Sequence, residues 1–243
     1  MLCVNADDMG WTKDITDRII ECHSQGSLHS VSLITFMIDS ERAANLAGET
    51  RMDIGLHVNF DQSLTSTKTP AKLREHHRTV SNYLQASKWN QVLYNPLLRN
   101  AFDYVFQAQW DEFYRLCGIH PARLDGHHHM HLCMNMLASD KLPRGIRIRR
   151  NFTFDPTEKN PVNRLYRYLV DRWLISRFNC TDFFFSISPV EHKRLQRVVS
   201  LSTSADVELM VHPGVEEEYR YLLSEEWSNL MAEAQLEEML GVR

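Results

Sequence analysis

The sequence predicts an α/β fold, a distorted (β/α) barrel of about seven parallel strands. Two observations favour it: short β-prone segments alternate with longer amphipathic ones, and several of the β-prone segments end in Asp or His. Side chains at the carboxyl ends of barrel strands meet at one face, so such endings are typical of a site assembled from several strands. The predicted strands cover residues 2–5, 30–36, 54–58, 122–125, 145–149, 182–187 and 207–211.

Longer segments between these strands carry apolar residues at helical spacing, as crossover helices do. Ile15, Ile19 and Cys22 form one such series, and Pro189 is placed to open another helix, because proline is favourable in a first helical turn. Residues 224–240 are rich in Glu and are interpreted as an exposed, acidic closing helix. Alternation of strands with such helices is the pattern of a parallel sheet or barrel.

Length and composition limit the class of protein. A chain of 243 residues with 43% hydrophobic content can bury one sizeable core, so residues 1–243 are interpreted as one domain with a long rim excursion at about residues 60–95. Basic residues number 27 against 31 acidic ones, which argues against nucleic acid as a partner. The chain lacks an apolar run of transmembrane length or a secretion signal, and its five cysteines are scattered; we therefore expect a cytoplasmic protein with reduced thiols.

Two adjacent carboxylates follow the first predicted strand. Asp7 and Asp8 lie in the motif NADDMG, and neighbouring residues of a strand point in different directions. One of them can therefore bind a metal ion while the other contacts a water molecule. The alternative is that one Asp caps the helix that starts near Trp11.

A histidine lies inside the third predicted strand. His57 interrupts the otherwise apolar run GLHV, and Asn59 follows two positions later on the same face. A single histidine in such a strand is more often a core residue than a metal ligand. The case for His57 as a ligand therefore depends on the other strand ends.

The segment DGHHHMH, residues 125–131, holds four histidines in five positions. If the strand continues, His127, His129 and His131 share one face; if a helix starts, His127 pairs with His131 instead. Two imidazoles are expected to converge in either case. The alternative is a solvated, histidine-rich loop.

His212 ends the last predicted strand, so strands one, three, four and seven all end in Asp or His. Imidazoles with one carboxylate suit Zn²⁺, and three protein ligands leave a coordination position open for water. A structural zinc site would instead use four ligands, usually including Cys.

A cluster of arginines flanks the fifth predicted strand: Arg144, Arg147, Arg149 and Arg150. It is interpreted as a solvated barrel edge. The alternative is contact with an anionic substrate group.

Taken together, these motifs resemble the YdjC-like carbohydrate deacetylase family, which includes chitooligosaccharide deacetylases. The resemblance runs in order through residues 5–10, 55–57, 125–131 and 212–214. It implies a distorted barrel related to polysaccharide deacetylases.

The same resemblance implies roles for individual residues. Asp8, His57 and His127 resemble the metal ligands, Asp7 the catalytic base and His212 the general acid. Further candidates for contacts with substrate or with the ligands are Asp125, His129, His131, Asn59 and Arg144.

The implied function is a hydrolase that removes the N-acetyl group from an amino sugar or short oligosaccharide and releases acetate. The implied cofactor is one divalent cation, Zn²⁺ or Mg²⁺ first, with Co²⁺, Mn²⁺ or Ni²⁺ as alternatives. One rival is a deacetylase of a glycolipid or another acetylated amine, and a second is a non-catalytic metal- or sugar-binding protein. Asp7 and His212 argue against the second, because neither is needed merely to hold a cation. The resemblance also makes a homodimer an expectation.

Overall fold

The computed structural model describes residues 1–154 and 158–239. Seven parallel strands form one curled, half-barrel sheet in the order β5-β4-β3-β2-β1-β7-β6, so the predicted fold class is confirmed. The treatment of residues 1–243 as a single domain stays a prediction. The strands are β1 (Leu2–Met9), β2 (Ser30–Ile34), β3 (Asp53–Val58), β4 (Arg123–Gly126), β5 (Arg147–Ile148), β6 (Phe183–Ser186) and β7 (Val207–Val211).

The two ends of this order, β5 and β6, lie on either side of a seam. Backbone hydrogen bonds cross it: Ile148 N–H donates to the Asn179 carbonyl and Thr153 N–H donates to the Phe184 carbonyl, each at 2.8 Å. Because all the strand pairs are parallel, all seven carboxyl ends point to one rim, as the barrel prediction requires.

Helices connect the strands and cover the outside of the sheet. In the first of them the Thr12 hydroxyl caps the N-terminus, and Ile19 and Cys22 are buried as predicted. None of the helices in the described part of the chain is both long and apolar enough to cross a bilayer. The helices are α1 (Lys13–Ser24), α2 (Ser40–Gly48), α3 (Ala71–Ala86), α4 (Trp89–Val92), α5 (Arg99–Cys117), α6 (Met134–Leu137), α7 (Pro161–Ile175), α8 (His192–Leu201), α9 (Glu216–Leu222) and α10 (Glu225–Met239).

Two helix predictions need correction. Pro189 does not open a helix, because Glu191 still has an extended backbone and α8 begins at His192. The excursion at residues 60–95 is more regular than its polar sequence indicates, because α3 buries an apolar stripe and packs against α5. The predicted closing helix at 224–240 corresponds to α10, but residue 240 lies outside the described residues.

Strand β1 is longer than predicted. The prediction ended it at residue 5 and placed Asp7 and Asp8 beyond it, whereas the strand continues to Met9. Its pairing with β2 is irregular between Ala6 and Met9, and Asp8 within that stretch has a φ of 66°. The left-handed region costs about 1–3 kcal/mol for most non-glycine residues and is tolerated best by Asp and Asn. The irregular end of β1 therefore carries both carboxylates.

Candidate metal centre

Three side chains from the ends of three strands meet at the rim: Asp8 of β1, His57 of β3 and His127 directly after β4. Their ligand atoms all lie within 4.8 Å of one another. Asp8 Oδ1 is 3.3 Å from His57 Nε2 and 3.0 Å from His127 Nδ1. The ring of Trp11 packs on His127 with 4.5 Å between the ring centroids and helps to hold that imidazole.

The chemistry of this triad fits a divalent cation. It offers two imidazole nitrogens and one carboxylate oxygen, all directed to one point, and three such ligands leave room for water or substrate. Burial alone would raise the pKa of Asp8, but the hydrogen bonds from His127 and His57 outweigh it and lower that pKa. Asp8 is therefore an anion, as a metal ligand must be.

His57 is oriented from behind by Asp125. The ring Nδ1 hydrogen-bonds Asp125 Oδ1 at 2.8 Å, and Ser32 donates to the other oxygen at 2.6 Å. A carboxylate on the far nitrogen of a ligand histidine is a common device that fixes the ring and raises its basicity. Burial opposes protonation of His57, yet the carboxylates of Asp7, Asp125 and Asp8 raise its pKa to about 10.

Asp7 belongs to a different set of contacts from Asp8. Arg149 donates hydrogen bonds to both carboxylate oxygens of Asp7, at 2.6 and 2.7 Å, and the Asn5 amide donates to Oδ1 at 2.8 Å. Asp7 is almost fully buried, and one of its oxygens lies within 4.8 Å of a His57 nitrogen. The second carboxylate is therefore held beside the triad without being part of it.

Arg149 corrects the interpretation of the arginine cluster. Its side chain is 1% exposed and pairs with Asp125 at 2.8 Å and with Glu208 at 2.7 Å, besides Asp7. Burial alone would lower the pKa of this guanidinium, but the three carboxylates hold it well above its ordinary value. A solvated barrel edge was the wrong interpretation for Arg149, because it follows β5 on the face that points into the barrel.

Arg144, the member of that cluster chosen as a site candidate, lies elsewhere. It is exposed and lines a separate groove of about 580 Å³ together with Trp173 and Arg177. Gly145, with a φ of 78°, precedes a β5 of only two residues, so Arg144 lies outside the strand. The lining of this groove includes no member of the triad, and a contact of Arg144 with substrate stays a prediction.

His212 lies on the other side of Asp7. Its Nε2 is 4.0 Å from Asp7 Oδ2, and its backbone N–H donates to Glu218, whose carboxylate is 3.7 Å from the ring Nδ1. The Ser188 hydroxyl holds the other Glu218 oxygen at 2.6 Å. Burial lowers the pKa of His212, but Glu218, Asp7 and Asp8 together raise it above the ordinary value.

The histidine-rich segment forms neither a continued strand nor a regular helix. It is a short helical turn in which His128 and His129 have φ of 49° and 59°. The predicted pairs, His127 with His129 or with His131, do not form: His127 joins His57 of another strand in the triad, and its neighbour His128 lies with His127 and Asp61 in a second group of possible ligands. His131 is buried with its Nε2 bonded to the Arg149 carbonyl at 3.0 Å, and burial lowers its pKa to about 4. It supports the backbone of Arg149 instead of facing the rim.

Asn59 makes its hydrogen bonds inside the protein. Its side-chain oxygen accepts hydrogen bonds from the backbone N–H groups of Asp61 and Gln62, and its own backbone N–H donates to Gln109. Because Asn59 is fully buried, it shapes the loop after β3 and has no surface left for substrate. Direct contact with substrate is therefore excluded, whereas a supporting role through the loop that carries Asp61 stays a prediction.

Four charged residues of this network were not assigned to it by the sequence predictions: Arg123, Arg149, Glu208 and Glu218. Glu208 had a visible signal, because it is a charge in the middle of the apolar strand VELMV. Glu218 stands in a run of three glutamates that is typical of a solvated first helical turn, and nothing local marks it as buried.

Seven parallel strands with a carboxylate and two imidazoles at their carboxyl ends define a (β/α) barrel protein with a candidate metal centre. The chain belongs to the family described as YdjC-like protein, whose model matches residues 1–233. The resemblance seen in the sequence motifs is thereby confirmed.

Several relatives carry names that state an activity. A chitooligosaccharide deacetylase of Proteus mirabilis is 28% identical over 133 residues, 54% of this chain and 50% of that protein. A carbohydrate deacetylase of Clostridium beijerinckii is 25% identical over 218 residues, 88% of this chain and 81% of that protein. A carbohydrate deacetylase of Danio rerio is 29% identical over 136 residues, which is only 42% of its length. The matched part of the chain thus spans half or less of two of these three relatives.

Among solved structures, the fold is similar to that of an Enterococcus faecalis V583 protein described as a cellobiose-phosphate cleavage protein. The TM-score is 0.69, and the match covers 96% of this chain and 94% of the other at 18% sequence identity. At that identity the likeness concerns the fold alone.

Proposed function

We propose that this protein is a metal-dependent carbohydrate deacetylase, a hydrolase that removes the N-acetyl group from an amino sugar or a short oligosaccharide and releases acetate. The observation that carries the proposal is the pair of neighbouring carboxylates with separate partners: Asp8 faces two imidazoles, and Asp7 faces Arg149 and His212. A site that only held a cation would not need the contacts of Asp7 with Arg149 and His212. The names of the relatives support the substrate class.

In this proposal Asp8, His57 and His127 hold one divalent cation, Zn²⁺ or Mg²⁺ first, with Co²⁺, Mn²⁺ or Ni²⁺ as alternatives. When bound, such an ion supplies Lewis acidity, which polarises the acetyl carbonyl and lowers the pKa of water at the site. Asp125 keeps the His57 ring turned to the point where these ligands converge.

Asp7 acts as the general base and takes a proton from the attacking water. The bidentate grip of Arg149 and the Asn5 amide fix its carboxylate, so the orientation required for proton transfer is set before substrate binds. The Oδ2 atom of Asp7 also lies 4.0 Å from His212 Nε2, so in this proposal the attacking water binds beside these two groups. Desolvation by the barrel wall strengthens the contacts of this base.

His212 acts as the general acid and gives its proton to the nitrogen of the departing amine, which is a poor leaving group without it. The nearby carboxylates raise its pKa, which keeps the imidazolium available near neutral pH. Glu218 holds the backbone and one edge of the ring, so Nε2 remains directed to Asp7 across 4.0 Å. Acid and base thus lie on one side of the triad.

The first experiment measures acetate release from N-acetylglucosamine and its oligomers after chelation and resupply of single cations. We expect activity to disappear with the chelator and to return with one or two of Zn²⁺, Co²⁺, Ni²⁺, Mn²⁺ and Mg²⁺. Acetate release from acetylated glycolipids or simple amines, but not from sugars, would favour the rival proposal, a deacetylase of those substrates. Tight cation binding with no hydrolysis of any acetylated substrate would favour a binding protein.

Metal binding is also expected to release a proton. At neutral pH His57 of the metal-free protein is protonated, because its pKa is raised to about 10, and a cation must displace that proton. Affinity should therefore rise about tenfold per pH unit from pH 7 and level off near pH 10. Calorimetry in buffers of different ionisation enthalpy measures the release, and about one proton per ion is expected at pH 8. No release there would contradict the assignment of His57 as a ligand.

The Asp125→Asn variant provides the control for this measurement. Loss of the Asp125 charge removes one of the causes that raise the His57 pKa, so the plateau in affinity should begin at lower pH. An unchanged pH profile in this variant would mean that another group supplies the proton.

A cytoplasmic location and a homodimer stay predictions.

A further inference from the structure

A second group of one carboxylate and two imidazoles lies beside the triad, and the proposed mechanism does not use two of its three members. It comprises Asp61, His127 and His128, whose possible ligand atoms all lie within 4.8 Å of one another. The rings of His127 and His128 are 4.0 Å apart between centroids, and Asp61 Oδ2 is hydrogen-bonded to His128 Nδ1 at 2.7 Å. The group therefore offers the same kinds of donor as the triad, and His127 is common to both.

Asp61 is a buried carboxylate that lacks a permanent counter-charge. Its side chain is 6% exposed, and its one ion-pair partner among the side chains that the structure describes is the imidazole of His128. Its Oδ1 atom is buried with no hydrogen-bond partner among these residues. Asp7 and Asp125, in contrast, both pair with the guanidinium of Arg149. Since a buried carboxylate oxygen without a partner is costly, Asp61 is suited to accept a cation.

The backbone on both sides holds this group in position before any ion binds. In the loop after β3, the Asn59 side chain accepts a hydrogen bond from the Asp61 N–H at 3.2 Å, and the Ser81 hydroxyl of α3 donates to the Asp61 carbonyl at 2.8 Å. His128 has a φ of 49°, in the left-handed region that is uncommon for histidine. This conformation brings its imidazole to Asp61 and leaves half of the His128 side chain exposed, where an ion can reach it from solvent.

We propose that Asp61, His127 and His128 form a second binding position for a divalent cation of borderline character, Zn²⁺, Co²⁺ or Ni²⁺. Imidazole nitrogens suit these ions, whereas Mg²⁺ prefers a shell of oxygen ligands. Zn²⁺ binds such ligands at about 2.0–2.2 Å, and the half-exposed His128 ring is free to make the small rotation that this distance requires. The inference rests on the proposed function only for the first ion, at Asp8, His57 and His127.

The shared His127 makes the two positions unequal. While Asp8, His57 and His127 hold the first ion, a second ion has only Asp61 and His128 as protein ligands and is repelled by the charge of the first. Its affinity should be at least about tenfold lower, since even a supporting partner of a ligand contributes about 10–100-fold to metal affinity. When the first position is disabled, His127 becomes free for the second, and all three of its residues can hold one ion.

The test is calorimetric titration of the metal-stripped full chain with Zn²⁺ and, separately, with Mg²⁺. We expect a tight Zn²⁺ step followed by a step at least about tenfold weaker, and no weak step with Mg²⁺. His128→Asn should weaken the second step about tenfold or more, and Asn suits the left-handed backbone at this position. Asp61→Asn should do the same without removal of an imidazole. A single Zn²⁺ step in the wild type, or a weak step that persists in both variants, would overturn the proposal.

His192→Asn is the matched control. His192 also pairs through Nδ1 with a carboxylate, Glu226 at 2.8 Å, and it is 46% exposed against 53% for His128. It lies on α8 and belongs to neither group of ligands. This variant should leave both Zn²⁺ steps unchanged. Loss of the weak step here as well would mean that Zn²⁺ binds exposed histidines in general, which refutes the second position.

Disabling the first position provides an independent measurement. Asp8→Asn removes the carboxylate of the triad and keeps a residue that tolerates the φ of 66°. One Zn²⁺ should still bind, through Asp61, His127 and His128, and the additional substitution His128→Asn should weaken that binding about tenfold or more. An unchanged affinity in the double variant would show that His57 and His127 alone hold the remaining ion, against the proposal.

Kinetics separates this inference from the proposed function. Zn²⁺ in excess of one ion per chain should inhibit acetate release from N-acetylglucosamine oligomers, because the second ion competes for His127. In His128→Asn, about tenfold more Zn²⁺ should be needed for the same inhibition. Two-step binding without acetate release under any condition would refute the deacetylase and leave the second position standing. Acetate release with one-step binding would refute only the second position.

Discussion

Replacing Asp7 by Asn is expected to reduce kcat by about 10²–10⁴-fold while the protein still binds its cation. The amide cannot accept the proton from water, whereas Asp8, His57 and His127 remain as they are. The measurements are acetate release at saturating substrate and metal affinity by calorimetry. Turnover close to wild type would remove Asp7 as the base.

The variant Glu208→Gln separates catalysis from the loss of a buried charge. Glu208 and Asp7 pair with the same guanidinium of Arg149, at 2.7 Å and at 2.6 Å, but Glu208 makes no contact with His212 or the triad. Both substitutions remove one carboxylate from that guanidinium. If Glu208→Gln lowers kcat as much as Asp7→Asn does, the loss reflects disturbed packing of Arg149 and not missing base chemistry.

Replacing Arg149 by Met is expected to lower the free energy of unfolding by about 3–5 kcal/mol, because it leaves buried carboxylates without their counter-charge. Asp7, Asp125 and Glu208 would all lose an ion pair at once. Urea denaturation of the metal-free protein measures the effect. Arg149→Lys should recover part of the stability but little turnover, because an ammonium group cannot grip both oxygens of Asp7.

The comparison for this prediction is Arg42→Met. Arg42 also pairs with two carboxylates, Asp39 at 2.8 Å and Asp17 at 2.7 Å, but its side chain is 36% exposed. Exposed ion pairs contribute about 0–1 kcal/mol, so this variant should lose little stability. Similar losses in the two variants would contradict the claim that burial gives Arg149 its importance.

The meeting of the three candidate ligands could be predicted from the sequence because the position of each depends only on its own strand end. Asp8, His57 and His127 each follow or interrupt an apolar run, and parallel strands bring such positions to one rim without further information. The pairing partners could not be predicted in this way. Arg149 was visible in the run of arginines, but alternation alone does not tell which of two faces points into the barrel.

The turn at His128 and His129 was beyond prediction for another reason. Two consecutive left-handed residues are ordinarily signalled by Gly, Asn or Asp, and histidine gives a weaker signal. The prediction therefore weighed a continued strand, a helix and a solvated loop for this segment, and none of these included two left-handed residues. Tertiary contacts stabilise the conformation of this turn: Asp61 hydrogen-bonds the His128 ring, and Phe152 and Phe184 pack against the His129 ring.

The contacts of Arg149 have one more consequence, which concerns electroneutrality. The barrel end encloses four carboxylates and two guanidiniums, which leaves two negative charges: Asp7, Asp8, Asp125 and Glu208 against Arg123 and Arg149. A proton on His57 cancels only one of them. A divalent cation beside a neutral His57 would cancel both, whereas a monovalent ion would leave one negative charge uncompensated. Within the proposed function, charge balance thus favours a divalent ion in addition to the preference set by ligand type.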